Sequence, residues 1–171
     1  MESLHQSELT IRKSPCSIAL LADEAIDSMK ELAAQRGISL VNSCSNEVVN
    51  VDGNRIIQVL CNYLSNSINA SAENTKVSIS NQSLGAACRL EVKDEGSGIL
   101  SLMGGRKDLF EKSSNANQIV AEQVHGIGLS ICRLIARAHG GQVGACSQER
   151  GSTFWIQLPC AISSVIGRSC V

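Results

Sequence analysis

The chain has 171 residues, of which 43% are hydrophobic and 2% aromatic, so one domain with an aliphatic core is expected. Fifteen Lys and Arg residues stand against sixteen Asp and Glu, and the formal net charge of −1 gives no electrostatic reason to expect nucleic acid as a partner. No apolar run approaches the roughly 20 residues that span a bilayer. These features predict a cytoplasmic domain without direct membrane contact, although the full-length protein can still carry a membrane anchor.

Eight cysteines raise the question of disulfides or a metal site. No two of them form a C-x-x-C pair, and none lies at zinc-finger spacing from a histidine. Several fall on apolar faces of predicted helices or strands, where a free thiol behaves as a small hydrophobic group. The pattern therefore favours reduced thiols in a cytosolic protein over a disulfide framework.

In chain order, residues 1–15 are a polar lead-in that ends at Pro15, with the end of an upstream helix and a short strand as its expected content. An amphipathic helix begins near Ile18, and Gly37 is its predicted C-cap. The segments ISLVNSC and VVNV are two short predicted strands. Further along, KVSIS and CRLEVKD predict an antiparallel pair of strands.

Residues 52–71 have the clearest helical pattern in the chain, with apolar residues at three- and four-residue intervals and Asp52 as a suitable N-cap. On another face of this helix, Asn62, Asn66 and Asn69 recur at four- and three-residue steps. Each asparagine costs roughly half a kcal/mol relative to alanine in a helix. The row therefore indicates either a polar face that happens to be rich in asparagine or amides directed at a ligand or a hydrated cation.

After residue 94 the regular periodicity is lost. Residues 95–123 are rich in Gly, Ser and Asn, and a segment of this length in a compact domain is typical of a functional lid. A helix that ends at Gly140 and Gly141 follows, and then come two strands, GQVGACS and STFWIQLP. Three helices and about five to six strands predict an α/β two-layer sandwich, in which the helices cover one face of a mixed sheet, with a long lid.

Two segments with paired glycines carry candidate ligand chemistry. In VKDEGSGI, Asp94 ends a strand before Gly96 and Gly98, where it can accept a hydrogen bond from an exocyclic amine such as that of adenine, or can form a simple turn. In VHGIGLSI, Gly126 and Gly128 open a helix whose N-terminal N–H groups can receive a phosphate, or they provide loop flexibility alone. The Walker and Rossmann motifs are excluded, because no Gly-Lys-Ser/Thr triplet is present and no third glycine follows.

Together these segments resemble the ATP-binding catalytic domain of sensor histidine kinases, in the superfamily shared with gyrase B, the heat-shock chaperone ATPases and MutL. The N box matches DGNRIIQVLCNYLSNSINAS, the first glycine box DEGSGI, the F box DLFEK and the second glycine box HGIGLSICRLIARAHGG. GSTFWIQLP also resembles the family's last strand. The resemblance implies a catalytic domain over residues 16–160, with residues 161–171 as a tail.

The resemblance implies that the domain binds Mg²⁺ and ATP and transfers the γ-phosphoryl group to a histidine on a separate dimerisation domain, which then serves a response regulator. It implies Asn66 as the Mg²⁺ ligand, Asn62 as a second catalytic amide near the metal, and Asp94 as the acid that binds the adenine amine. The remaining nucleotide-binding positions that it implies are Asn69, Gly96, Gly98, Phe110, Lys112, His125, Gly126, Gly128, Leu129, and Ser152 or Thr153.

Two positions depart from the family pattern. Asn69 stands where histidine kinases commonly have lysine, and His125, Lys112 and Arg106 are the candidate replacements for that charge. Val124 occupies the first glycine position of the usual G-x-G-x-G, which should stiffen the C-terminal hinge of the lid. Both departures bear on nucleotide affinity more than on the fold.

Asn62 stands where the ATPases of the superfamily carry a glutamate that activates water. An amide cannot take up that proton, so slow hydrolysis and phosphoryl transfer are expected. None of the three histidines fits the family's phosphoacceptor: His5 lies in the lead-in, His125 in the lid, and His139 at a helix end, where a partly charged imidazole is favourable. The expected piece is thus a catalytic domain without its dimerisation part. A serine kinase of the anti-sigma-factor type, or a nucleotide-binding regulatory module without transfer, are the alternatives.

Overall fold

The structure is a computed structural model that describes residues 9–96, 127–148 and 150–160. Within these ranges three helices and seven strands follow one another along the chain. In chain order they are β1 Ser14–Ser17, α1 Ile18–Gln35, β2 Ser39–Asn42, β3 Val48–Val51, α2 Gly53–Ala70, β4 Lys76–Ser83, β5 Ala87–Asp94, α3 Ile127–Ala138, β6 Gln142–Ser147 and β7 Ser152–Pro159.

The strands divide into two sheets. The larger sheet has the order β2-β4-β5-β7-β6, in which β2 and β4 are parallel and the other neighbours are antiparallel. β1 and β3 form a separate antiparallel ribbon, with Pro15 opposite Asn50. The predicted mixed sheet and the antiparallel β4–β5 pair are confirmed, whereas the division into two sheets had no signal in the sequence.

All three helices pack on one face of the larger sheet. α1 packs against α2 and β2, α2 packs against β4, β5 and α3, and α3 packs against β6 and β7. The opposite face carries Trp155, whose ring lies under the Arg89 guanidinium at 4.2 Å. The predicted two-layer α/β sandwich is therefore confirmed. Among the described residues, no helix combines the length and the apolar character needed to cross a membrane.

Helix α2 is the central element of the helical layer. It begins with the predicted cap, because Asp52 Oδ1 accepts a hydrogen bond from the Arg55 backbone N–H at 3.3 Å. The Tyr63 ring stacks on Phe154 of β7 with ring centroids 5.4 Å apart, and its hydroxyl donates to the Trp155 carbonyl at 3.0 Å. The buried face consists of Ile56, Val59, Leu60, Tyr63, Leu64, Ser67 and Ile68. Burial of each large aliphatic side chain contributes about 1.5–3 kcal/mol and fixes the rotation of α2 on the sheet.

The seven cysteines within the described residues are free thiols, and Cys88 and Cys132 are buried. Burial raises the pKa of the Cys132 thiol to about 11 and, with the nearby Asp23 carboxylate as a second cause, that of Cys44 to about 11. Burial also raises the pKa of Cys88 to about 12, and the negative charge of Glu47 adds to the effect. These thiols are therefore protonated at neutral pH in the protein alone.

Candidate functional site

Two asparagines of α2 lie half-buried beside the start of α3. Asn62 Nδ2 donates to the Gly128 carbonyl at 3.3 Å and approaches Cys132 Sγ at 3.6 Å. Asn66, one helical turn later, makes no hydrogen bond within the part of the chain that the structure describes. The first amide therefore joins two helices, whereas the second is available to a ligand.

Asp94, at the end of β5, is completely buried and hydrogen-bonded. Its Oδ1 accepts from the backbone N–H groups of Gly96 and Ser152 at 3.0 and 3.1 Å, and its Oδ2 accepts from the Ser152 hydroxyl at 3.0 Å. A carboxylate offers about four lone-pair sites. Described residues use three of these sites, which leaves about one for a further hydrogen bond, such as that from an exocyclic amine.

Two glycines allow three chain segments to converge on Asp94. A Cβ on Gly96 would lie 2.5 Å from the Ala70 carbonyl oxygen at the end of α2. Gly151 has a φ of +93°, and a Cβ there would overlap the Asp94 carbonyl. Asp94 therefore lies where the end of α2 and the start of β7 meet.

The first turn of α3 presents backbone donors next to Asn62. The first four N–H groups of a helix have no partner within it and carry the positive end of the helix dipole. Leu129 is 7% exposed and packs in the core, so only its backbone N–H is available to a phosphate. The Asn66 amide oxygen suits a metal ion, and the N-terminus of α3 suits a phosphate group. The buried Asp94 carboxylate suits a base that carries an amine.

Two predicted residues are placed differently from the expectation. Asn69 is exposed, and its Oδ1 accepts a hydrogen bond from Arg36 Nη2 at 2.9 Å. Thr153 pairs with Lys93, whereas its neighbour Phe154 faces the helices, so strand alternation directs Thr153 to the opposite face of the sheet. Ser152 does reach the site, but its hydroxyl binds Asp94.

Arg36 is a residue that the sequence interpretation missed. It lies at the end of α1, 33 positions before Asn69, and it places a cation beside the position where a lysine is common. No local sequence pattern marked this contact, because the proximity of α1 to the end of α2 depends on the parallel pairing of β2 with β4, which the packed structure shows. The lid and the predicted site residues Gly98, Phe110, Lys112, His125 and Gly126 lie outside the described residues.

Comparison with protein families defines the class of this protein. The family described as Histidine kinase-, DNA gyrase B-, and HSP90-like ATPase matches residues 51–162, which is more than half of the chain. The chain therefore belongs to this ATPase family, as the four sequence segments predicted. Membership implies that the domain binds ATP.

The individual relatives that match this chain are sensor proteins. The chain is 32% identical over 113 residues to Sensor protein KdpD of Escherichia coli (strain K12), which covers 66% of this chain and 12% of KdpD. It is 28% identical over 155 residues to Sensor protein SrrB of Staphylococcus aureus (strain NCTC 8325 / PS 47), which covers 88% of this chain and 26% of SrrB. The chain thus spans far less than two thirds of the length of these relatives.

Solved structures agree with this assignment. The catalytic domain of histidine kinase ThkA superposes with a TM-score of 0.70 at 25% identity, covering 88% of this chain and 98% of that domain. Full-length ShkA in complex with AMPPNP has the same fold, with a TM-score of 0.71 at 22% identity, covering 90% of this chain and 32% of ShkA. The chain is therefore a catalytic ATPase domain of the histidine kinase type.

Proposed function

We propose that this domain binds ATP together with Mg²⁺ and donates the γ-phosphoryl group to a histidine on a separate dimerisation domain. The observation that carries the proposal is the half-buried Asn66 amide, which has no hydrogen-bond partner among the described residues and lies one turn beyond the Asn62–Gly128 contact. Because the amide is half-buried and not tied to another described group, it can exchange water for a ligand without breaking a bond within the described protein.

Each part of the site would have a distinct role. The Asn66 amide oxygen would hold Mg²⁺, which when bound neutralises charge on the phosphate oxygens. The N–H groups in the first turn of α3 would receive phosphate, and Asn62 would hold that turn in place through Gly128. Asp94 would accept the adenine amine. Asp94, the one carboxylate in this set, would be occupied by the adenine amine, and the amides cannot take up a proton from water, so catalysis would consist of positioning and charge neutralisation.

The partners follow from the relatives rather than from this chain alone. The structure of ThkA in complex with response regulator protein TrrA contains a domain to which this chain is 26% identical, with a TM-score of 0.65, over 86% of this chain and 42% of ThkA. By analogy, we propose a dimerisation domain with the phosphoacceptor histidine and a response regulator as partners. A cytoplasmic location would give the domain access to ATP.

Base selectivity tests the role of Asp94. Guanine presents a carbonyl oxygen where adenine has its amine, and this acceptor would face the remaining lone pair of Asp94. The unmet pair should cost about 1–3 kcal/mol, which is roughly a 5- to 150-fold preference for ATP over GTP in calorimetric titration.

Two variants serve as controls for base selectivity. Asp94→Asn should weaken ATP binding. Ser152→Ala, which removes only the hydroxyl that donates to Oδ2, should keep the preference for ATP. Equal affinity of the unaltered protein for ATP and GTP would exclude the proposed role of Asp94.

Phosphoryl transfer is tested with labelled ATP and the dimerisation domain of the full-length protein. Phosphohistidine is labile in acid and stable in alkali, whereas phosphoserine is stable in acid. Label that is lost in acid supports the proposed histidine kinase activity. Acid-stable label would instead indicate a serine kinase, and ATP binding without any transfer would indicate a regulatory module.

A further inference from the structure

A second polar cluster lies at the opposite end of β5 from Asp94. It consists of Glu47, Cys88 and Cys160, and one carboxylate oxygen and the two sulfur atoms all lie within 4.8 Å of one another. Cys88 is the second residue of β5 and Asp94 its last. At about 3.3 Å per residue, the cluster is roughly 20 Å from the nucleotide site along the strand.

The distances within the cluster suit a tetrahedral metal ion. Cys88 Sγ lies 3.9 Å from Glu47 Oε2, and Cys160 Sγ lies 4.0 Å from Glu47 Oε1. Sulfur and oxygen ligands at about 2.3 and 2.1 Å from a tetrahedral Zn²⁺ are separated from each other by roughly 3.5–4 Å. The three side chains therefore need only small adjustments to share one ion.

The backbone holds the three positions in place. The Glu47 carbonyl accepts from the N–H of Ile18 at the start of α1 at 2.9 Å, and the Cys160 N–H donates to the Ala86 carbonyl at 2.8 Å. Cys88 lies within the paired part of β5 and is buried. The ligand set is thus largely preorganised by α1, β5 and the end of β7.

The Glu47 carboxylate also has a partner beyond the two thiols. Asn81 Nδ2 on β4 donates to Glu47 Oε2 at 3.1 Å. Hydrogen bonds of this kind orient carboxylate ligands in metal sites. Glu47 is therefore held toward the two thiols rather than extended into solvent.

We propose that Glu47, Cys88 and Cys160 form a binding site for a thiophilic divalent cation, with Zn²⁺ as the best chemical match, separate from the Mg²⁺-ATP site. Two sulfur ligands select against Mg²⁺ and Ca²⁺, which prefer oxygen. Binding releases the two thiol protons and leaves two thiolates and one carboxylate around the ion. Three protein ligands leave a fourth position open to water or to another group. The bound ion would join the β2–β3 connection to the ends of β5 and β7.

The test uses the complete 171-residue chain under reducing conditions without nucleotide. Co²⁺ is titrated first, because a thiolate ligand produces a sulfur-to-cobalt charge-transfer band, and Zn²⁺ is then added as a competitor. The proposal requires one equivalent of Co²⁺ with this band, its displacement by Zn²⁺, and a higher Tm in the presence of Zn²⁺. Absence of the charge-transfer band in the unaltered protein would overturn the proposal.

Three variants locate the site. Cys160→Ser should lower the affinity for Co²⁺ at least tenfold and weaken the band. Glu47→Gln keeps both thiols and the acceptor for Asn81, so it should lower the affinity about tenfold or more, and it serves as the test if Cys160→Ser does not fold. Cys146→Ser, at a half-buried cysteine on β6 outside the cluster, should behave like the unaltered protein. A band that persists unchanged in Cys160→Ser and Glu47→Gln would show that the ion binds elsewhere.

Discussion

Asp52 at the N-terminal end of α2 and Asn66 toward its C-terminal end differ in whether they have hydrogen-bond partners among the described residues. At the N-terminal end, Asp52 Oδ1 accepts from the Arg55 N–H, Oδ2 accepts from the Arg12 N–H at 2.9 Å, and the Asp52 N–H donates to His139 Nε2 at 3.0 Å. Toward the C-terminal end, Asn66 has no partner among the described residues. The difference separates groups that hold the fold from the amide that we propose binds the metal ion.

His139 is one of the groups that hold the fold. Its Nε2 accepts a hydrogen bond from a backbone N–H, so the ring proton is on Nδ1, which donates to the Ile135 carbonyl at 2.8 Å. The neutral tautomer satisfies both contacts. The sequence suggested a partly charged imidazole that interacts with the end of a helix. The structure instead shows a buried link between the end of α3 and the start of α2.

The largest expected effect concerns nucleotide binding at the Asn66 position. Asn66→Ala should lower the affinity for Mg²⁺-ATP by more than about 100-fold, or about 2.7 kcal/mol, because it removes the proposed metal ligand. The free energy of unfolding should change by about 0.5 kcal/mol or less, since the amide has no partner in the described protein to lose. Calorimetric titration and urea unfolding measure the two quantities.

Two comparisons sharpen this prediction. Without Mg²⁺, the unaltered protein and Asn66→Ala should bind ATP with similar, weak affinity, because the Asn66 amide then has no metal ion to bind. Asn69→Ala, one turn further along α2, should have a smaller effect on the Mg²⁺-dependent affinity. Undiminished Mg²⁺-ATP affinity in folded Asn66→Ala would remove the distinction between the two ends of α2.

The features of the fold that the sequence predicted depend on near neighbours along the chain. The buried face of α2 and its Asp52 cap involve residues within about four positions of one another, so the pattern of the segment specifies them. The separation of β1 and β3 from the larger sheet depends on pairing over more than 30 residues. No local pattern encodes that choice.

Prediction of the site from the sequence is limited in the same way, because contacts between residues far apart along the chain have no local pattern. Asp94 could be recognised because it ends a strand before paired glycines. The partner of Asn69, by contrast, comes from α1, and the partner of Asp52 lies 87 positions away at His139. Thr153 could not be assigned to a face, because nearly every residue of β7 is buried and alternation alone does not say which side faces the helices. Such contacts follow only from the packed structure.

An intermediate effect, on the free energy of unfolding, is expected for His139, which contacts the N-terminal end of α2. His139→Ala leaves the Asp52 N–H without its acceptor and removes the donor to the Ile135 carbonyl, which should lower the free energy of unfolding by about 1–3 kcal/mol. His139→Gln places an amide oxygen near the Nε2 position, so it should restore part of the loss. Urea unfolding with all three proteins measures the difference.

Nucleotide affinity provides the control for His139. Under conditions where each variant is folded, Mg²⁺-ATP should bind as it does to the unaltered protein. A His139→Ala protein that keeps its stability but loses ATP binding would mean that this end of α2 takes part in the ligand site, contrary to the comparison.

The smallest effect should come from Asp52, and it depends on pH. The hydrogen bond from the Arg12 N–H is the largest of the causes that hold the pKa of the Asp52 carboxyl below its ordinary value. A lowered pKa in the folded protein means that the stabilisation is complete above the unfolded pKa of about 3.9 and is lost as the pH falls through the folded value. Asp52→Ala should therefore cost about 1 kcal/mol at neutral pH and less in acid.

Asp52→Asn separates the cap from the charge. Its amide oxygen can still accept from the Arg55 N–H, but the Nδ2 group cannot accept from the Arg12 N–H, so the variant should fall between the unaltered protein and Asp52→Ala at neutral pH. As the pH is lowered, the unaltered protein should lose its advantage over Asp52→Asn, because a protonated carboxyl also has only one strong acceptor. The free energies of unfolding measured from about pH 7 to pH 3 test this convergence. A difference between the two proteins that stays constant over this range would show that the cap works through shape and not through the carboxylate charge.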